Sequence, residues 1–259
     1  DGRIIDRAVK WDLGVNFSLN RSKVLVLSED KDIFGGELDN TILKDQLNLM
    51  RVGEPMYVFY GYVEDGYDEN GHIVYKNMDD DPAITAADKT IIGDPNPDFL
   101  VNLTTAVSYK GFTLSAFFQS SIGNDIYSLS MAAQAYDYGY NGNTLREVYY
   151  NHWSPENPTA KYPNLDQTSY KMSDRFVYDG SFVRLKNLEL AYDVPCARSK
   201  FIKRARVYVS AQNLFTITSY PFWDPDINAN GGGSSMIQGV DSYCYPSART
   251  YTIGCRLTF

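Results

Sequence analysis

A chain of 259 residues with a net charge of −8 has no basic excess to offer a phosphate backbone, which sets nucleic-acid binding aside. Aromatics make up 14%, as 21 Tyr and 13 Phe against 3 Trp; strands favour such residues, and membrane interfaces favour Tyr and Trp. No apolar run approaches the roughly 18–20 residues of a spanning helix and the mean hydropathy is −0.34, yet a membrane β-barrel would leave no stronger hydropathy signal than this.

The first predicted strand runs from about 11 to 28: Trp11, Leu13, Val15, Phe17 and Leu19 alternate with Asp12, Gly14, Asn16, Ser18 and Asn20. Such period-2 spacing gives one apolar and one polar face. Strands at about 40–50 and 56–63 are expected on either side of a short link near Gly53-Glu54-Pro55. A long link over 64–98 leads to a strand at 99–109, where Phe99, Val101, Leu103, Val107 and Tyr109 hold the apolar phase against Asn102, Thr104 and Ser108. The phase restarts after Lys110-Gly111 with Phe112, Leu114, Ala116 and Phe118, and a two-residue connection with Gly second predicts a hairpin. A second long link, 123–175, has room for a helical turn or two within Met131–Tyr150. Strands at 176–192 and 206–217 follow, joined by a short link from Asp193 to about Arg204; a third long link, 218–246, precedes a last strand at 247–259. There Tyr251, Ile253, Cys255, Leu257 and Phe259 alternate with Thr250, Thr252, Gly254, Arg256 and Thr258 to the final residue.

This is an all-β pattern, and the connections refine it. If the eight strands alternate in direction, every long link falls at one end and every short link at the other. Soluble sandwiches rarely carry loops that long, whereas outer-membrane barrels have short periplasmic turns and long outer loops. Eight strands could close a small barrel, but Asp1-Gly2-Arg3 reads as an inner turn in mid-theme. An unclosed edge in lipid would strand its backbone polar groups. The strands are therefore expected to be part of a larger barrel, and the chain, which starts at Asp1 without a signal or lipidation motif, to be a processed product or a piece.

Candidate site residues lie mostly in the long links. Asn77, Asp79, Asp81 and Asp88 stand at positions 1, 3, 5 and 12 of a loop with EF-hand-like spacing, which suits Ca²⁺. Pro82, however, occupies the sharp-turn position and fixes φ near −65°, and Asp88 is short for bidentate coordination, so a solvated acidic loop is the competing reading. Aromatic clusters at Tyr136, Tyr138 and Tyr140, at Tyr149, Tyr150 and Trp153, and at Tyr220, Phe222 and Trp223 could stack on a substrate, contact a partner or pack on each other. Asn102, Thr104, Gln119, Asn187, Glu189 and Gln212 are expected to face a wet interior. Cys196, Cys244 and Cys255 match no metal or disulfide spacing. The two histidines, His72 and His152, fall in loops beside no Ser or Cys motif, and no glycine-rich phosphate loop is present, so no enzyme is expected, although the many carboxylates leave a glycosidase pair formally open.

Several stretches together resemble one family, the SusC-like (SusC/RagA) TonB-dependent outer-membrane transporters of Bacteroidetes. They are WDLGVNFSLN (11–20), VGEPMYVFYGY (52–62), IGDPNPDF (92–99), YKGF (109–112), WSPENPTAKYP (153–163), DGSFVRLKNL (179–188), QNLF (212–215) and YPSARTYTIGCRLTF (245–259). At the 77–88 loop this sequence departs from the family pattern, with Pro82 in place of Gly. The resemblance implies roughly the last eight strands of a barrel of about 22 strands, the plug and N-terminal strands lying outside this chain. It implies active import of glycans or oligopeptides, a SusD-like surface lipoprotein as lid, TonB as energy donor, lipid around the wall and a dimer of transporter–lid pairs. Tyr251, Ile253, Leu257 and Phe259 would form the closure strand and its assembly signal, with Phe259 at the natural C-terminus. Residues 149, 150, 153, 220, 222 and 223 would contact substrate or lid. The competing class is a secreted β-sandwich that binds or hydrolyses carbohydrate, whose strands would average nearer five or six residues.

Overall fold

The structure, a computed structural model, describes residues 1–39, 43–136, 143–196, 201–227 and 236–259. Its largest element is an antiparallel meander of seven strands, each paired to the next in chain order. They are β1 (Gly2–Asp6), β2 (Val9–Ser18), β3 (Phe99–Tyr109), β4 (Phe112–Ile122), β5 (Phe182–Val194), β6 (Arg204–Thr218) and β7 (Thr250–Thr258).

Register turns the alternation of each strand into two continuous faces. Trp11, Val107, Leu114, Leu190, Val209 and Ile253 form one cross-strand row, and Val15, Leu103, Phe118, Leu185 and Phe215 another. Asn16, Asn102, Gln119, Arg184 and Thr216 form a row on the opposite face. Shifts at Phe117/Phe118 against β5 and at Leu185/Asn187 against β6 are bulges that keep the apolar phase aligned; a slip of one residue would send it to the wrong face. The link between β3 and β4 is the expected hairpin, with φ of 47° at Lys110 and 88° at Gly111, the two positive angles of a type I′ turn.

The apolar face is bare. Ile253 is 87% exposed, Ile217 65% and Phe17 61%, and among the described residues no second layer covers them. The sandwich reading fails on this point, and on strand length, since β3 and β4 each run 11 residues. Polar atoms on this face are paired locally: Trp11 Nε1 donates to Thr105 Oγ1 at 2.9 Å. Tyr109, Phe112 and Tyr192 line up as an aromatic row at the short-turn end, the last two rings 4.5 Å apart. Such a girdle and a bare apolar band are what a lipid-facing barrel wall requires.

The described parts of segments 19–98, 123–181 and 219–249 all leave from the other end of the sheet and build a separate lobe. It contains a four-stranded sheet ordered Thr90–Gly93, Val58–Gly61, Asn48–Met50 and Ile33–Phe34, and a three-stranded sheet of Val177–Asp179, Asp125–Ser128 and Val240–Asp241. Two short helices, α1 (Leu129–Tyr136) and α2 (Arg146–Tyr150), occupy the stretch where a helical turn or two was expected. The hydrophobic core of the chain lies here, around Leu47, Phe59, Tyr127, Ala135, Phe176 and Val240.

Three sequence expectations need correction. The wall has seven strands rather than eight, because the spans near 40–50 and 56–63 belong to the lobe: Lys44–Gln46 pairs with Glu37–Asp39, and Val58–Gly61 with Thr90–Gly93. β2 ends at Ser18 and pairs directly with β3, Val15 opposite Leu103. Val58 and Phe59, adjacent in sequence, are both buried, so that strand is covered on both faces and has no lipid phase. Two extra strands cancel in an up–down count, so alternation of direction could not expose them. Finally, Gly2–Asp6 is a strand, and the turn beside it falls at 7–8.

Candidate functional site

The polar face gathers the six residues expected to line a wet interior. Asn102 lies opposite Gln119, Asn187 opposite Gln212 and Glu189 opposite Ser210, while Thr104 shares the row of Asn187 through Phe117. Pairing with both neighbours fixes each of these side chains on one side of a continuous sheet.

One residue of this face, not singled out in the sequence, organises the rest. Arg184 on β5 is 1% exposed. Its Nε donates to Thr216 Oγ1 on β6 at 2.9 Å. Its Nη1 donates to Ser247 Oγ at 3.2 Å and to Asp226 Oδ2 at 3.3 Å, and Nη2 is bonded to Asp224. The backbone N–H groups of Asp226 and Ser247, each at 2.9 Å, satisfy the remaining Asp224 acceptors. Burial raises the Asp224 carboxyl pKa, but these N–H donors and Arg184 outweigh it and hold the group below the usual carboxylate range. A charge taken out of water persists only where it is paired and hydrogen-bonded like this. The result is a latch that holds Asp224, Asp226 and Ser247 against the polar face. In the sequence, its signal was an arginine in the polar phase deep in an alternating strand, with Asp224 and Asp226 flanking a proline in the next link.

Two clefts flank the latch. One, of about 260 Å³, lies between Pro95, Asn102, Gln119, Asn124 and Asp226. The other, of about 340 Å³, lies between Arg184, Asn213, Thr216, Trp223, Pro246 and Arg249. Each is lined by an asparagine whose buried Oδ1 has no donor, Asn102 in the first and Asn213 in the second.

The aromatic candidates separate into three groups. Tyr149 and Tyr150 on α2 are exposed and meet edge-on at 5.1 Å, with Arg146 over the Tyr150 ring. Phe222 and Trp223 stack at 4.8 Å, Trp223 remaining 56% exposed at the rim of the second cleft. Trp153 packs within the lobe, its indole occupying the space where a side chain on Gly71 would project. Tyr220 offers no surface in this chain: it is buried, and its hydroxyl donates to Asp241 Oδ2 at 2.6 Å and lies 2.8 Å from Ser128 Oγ. Burial, then the Asp241 bond, push its pKa well up. Tyr136 stacks on Tyr170 inside the lobe at 3.7 Å; Tyr138 and Tyr140 lie outside the described residues.

The acidic loop is folded on itself. Asn77, Asp79 and Asp81 each accept from the backbone N–H two residues on, while both Asp88 oxygens accept from Met78 and Thr85 N–H at 2.7 Å. Those backbone bonds hold the Asp88 carboxyl below its usual range. Among the described residues no three carboxylate, His or Cys side chains gather as cation ligands. His72 lies 2.8 Å from Asp166 Oδ1, and His152 Nδ1 2.8 Å from the Tyr149 carbonyl, with neither bonded to a Ser or Cys nucleophile among the described residues. Tyr251, Ile253 and Leu257 lie on the bare apolar face of β7, whose outer edge has no strand partner among the described residues.

No protein-family model matches the chain. Curated relatives do: it is 32% identical over 277 residues to TonB-dependent receptor P3 of Formosa agariphila, covering 99% of this chain and 27% of that protein. It is 28% identical over 266 residues to TonB-dependent receptor SusC of Bacteroides thetaiotaomicron, covering 99% of this chain and 25% of that protein. Among solved structures, the RagAB peptide transporter superposes with a TM-score of 0.79 at 25% identity, over 100% of this chain and 28% of that one. The chain thus spans about a quarter of the length of the curated relatives it matches, and the resemblance read from the motifs holds along the whole of it.

Proposed function

We propose that this chain is the C-terminal wall and outer lobe of a SusC-like TonB-dependent outer-membrane transporter, which imports glycans or oligopeptides with a SusD-like surface lipoprotein. The observation that carries this reading is the seven-stranded meander, with a bare apolar band on one side and a polar face latched to a loop lobe on the other. The short turns face the periplasm, the lobe faces outward, and β7 is a seam that pairs with a barrel strand outside this chain. The segment supplies wall, outer loops and seam but no chemical step. TonB acts through parts of the transporter outside it, lipid surrounds the wall, and transporter–lid pairs associate as dimers. The α2 tyrosines and Trp223 are the lobe's exposed aromatic contacts for lid or substrate.

The test is made in the native host. Deleting the encoding gene is expected to abolish growth on one glycan or oligopeptide, and the tagged full-length product to be extracted from outer membranes only by detergent, with a lipoprotein bound. Protease added to intact cells is expected to cut within 19–98 or 123–181 and to spare the turn at 110–111. Recovery from the soluble fraction, with no growth defect, would falsify the reading.

A further inference from the structure

The bare apolar face is not flat throughout. Near the short-turn end a groove of about 490 Å³ crosses β5, β6 and β7. In the cross-strand row Phe112, Tyr192, Val207 and Cys255 the first two side chains are large and the last two small, so the surface drops beside the Phe112–Tyr192 ring pair. Leu190, Val209 and Ile253 in a parallel row bound the groove on its other side. From the polar side the Tyr208 ring lies against Gly254 and closes the sheet behind it. Beside Phe112, the ammonium of Lys110 in the β3–β4 turn sits 5.2 Å from the centre of the Tyr109 ring, on the outward aromatic row. The turn ends of β5, β6 and β7 add positive charge. Residues 195–206 contain Arg198, Lys200, Lys203, Arg204 and Arg206 and no Asp or Glu, in a chain of net charge −8. Lys203, Arg204 and Arg206 gather with Arg256 around one hollow, where Arg206 is offset by Glu189 and Asp193.

An apolar groove with aromatic rings and cations at its turn end matches an amphiphile that has an acyl chain and an anionic head. A chain laid in the groove supplies the contacts that its lining lacks. Aromatic rings of a membrane wall sit at headgroup level, and each Lys or Arg near a membrane surface favours an anionic lipid over a zwitterionic one. A second copy of the wall is a poorer match: two barrels side by side in one membrane set their basic turn ends at the same height, like charge toward like. We propose that this groove seats one acyl chain of an anionic phospholipid of the inner leaflet, with its phosphate on Lys110, an inference that rests on the transporter reading and adds a specific lipid to it.

The experiment uses the full-length transporter with its lipoprotein, delipidated in mild detergent and titrated with dioleoylphosphatidylglycerol or dioleoylphosphatidylethanolamine, with bound lipid read by native mass spectrometry. One phosphatidylglycerol is expected to be retained in preference to phosphatidylethanolamine. Lys110→Gln should weaken it about three- to tenfold, the span of one cation at a membrane surface. Val207→Trp, which fills the groove, should weaken both lipids by about tenfold or more, whereas Val15→Trp, at a bare position on β2 outside the groove, should change neither. Heat-modifiable migration like the parent's in each variant separates lost binding from lost folding. Equal retention of the two lipids, or a Val207→Trp protein that binds lipid as the Val15→Trp protein does, overturns the seat and leaves the transporter standing. A Val207→Trp protein that retains lipid but falls apart into smaller oligomers assigns the groove to contact between copies and overturns the seat too. A parent that stays soluble without detergent and retains neither lipid overturns both.

Discussion

The wall and the lobe are built from the same kinds of residue arranged in opposite senses. In the wall, Ile253 and Phe17 point outward and Asn102 and Gln119 inward, with every second residue changing sides. In the lobe, Leu47, Phe59 and Tyr127 are all 0% exposed around a single core. The lobe is stabilised as a water-soluble domain is, at roughly 1.5–3 kcal/mol for each large apolar side chain fully buried. The wall buries little within the chain, and its strands are held by hydrogen-bonded ladders whose apolar band needs an apolar solvent to cover it. Burial therefore means different things in the two regions, and an exposed isoleucine on β7 is as native as a buried leucine in the lobe.

Substitutions can break this contrast. The largest effect is expected where the regions join: Arg184→Ala leaves Asp224 buried without its partner, a loss of about 3–5 kcal/mol. Limited proteolysis should then cut 219–249 first, while the wall still migrates as a folded, heat-modifiable barrel. Replacing Arg184 with Met and Asp224 with Leu together should cost less than Arg184→Ala alone. Next, Leu47→Ala in the lobe should cost about 2–5 kcal/mol, read as earlier protease cleavage of the loops with wall melting unchanged. Slightly smaller, Leu188→Lys at mid-height on the apolar face should cost about 2–4 kcal/mol in bilayer refolding, while Ser115→Lys on the polar face should fold nearly as well as the parent. If the two lysines cost the same, the assignment of faces is wrong.

Acid sharpens the comparison further. Because the folded Asp224 pKa is depressed, its contribution to the latch is present above the ordinary carboxylate pKa, about 4, and is lost as pH falls through the lower folded value. Thermal melts between pH 7 and pH 3 should show the parent losing stability at the acid end. Asp224→Asn, already weakened at pH 7, should lose less over that range. The smallest effect is expected at Tyr150→Ala, on an exposed face of α2, within about 0.5 kcal/mol by the same melts.

Much of the wall was legible because a strand between lipid and water must alternate, and alternation survives in a single sequence. The hairpin of β3 and β4 follows residue by residue from the phase break at Lys110-Gly111, and the polar face from the residues that interrupt the apolar phase. The lobe was far less legible. A strand such as Val58–Gly61 is covered on both sides, so its pattern carries no orientation and does not separate it from a wall strand. The site shows the same division: the amide row was expected from its phase, whereas the burial of Tyr220 and the folding of Asp88 onto Met78 and Thr85 N–H depend on contacts distant in sequence.

By itself the sequence determined that the chain is all-β, that long and short links segregate to opposite ends, which residues face each side of the wall, and the family it resembles, because each rests on local periodicity or on short contiguous motifs. Only the tertiary structure decided that the described wall has seven strands, that the described parts of the long links share one core, and that Arg184 pins Asp224, 40 residues away, with Asp226 and Ser247, to the wall. Register, burial and ion pairing are relations between distant parts of the chain, and no local pattern encodes which partner each residue finds.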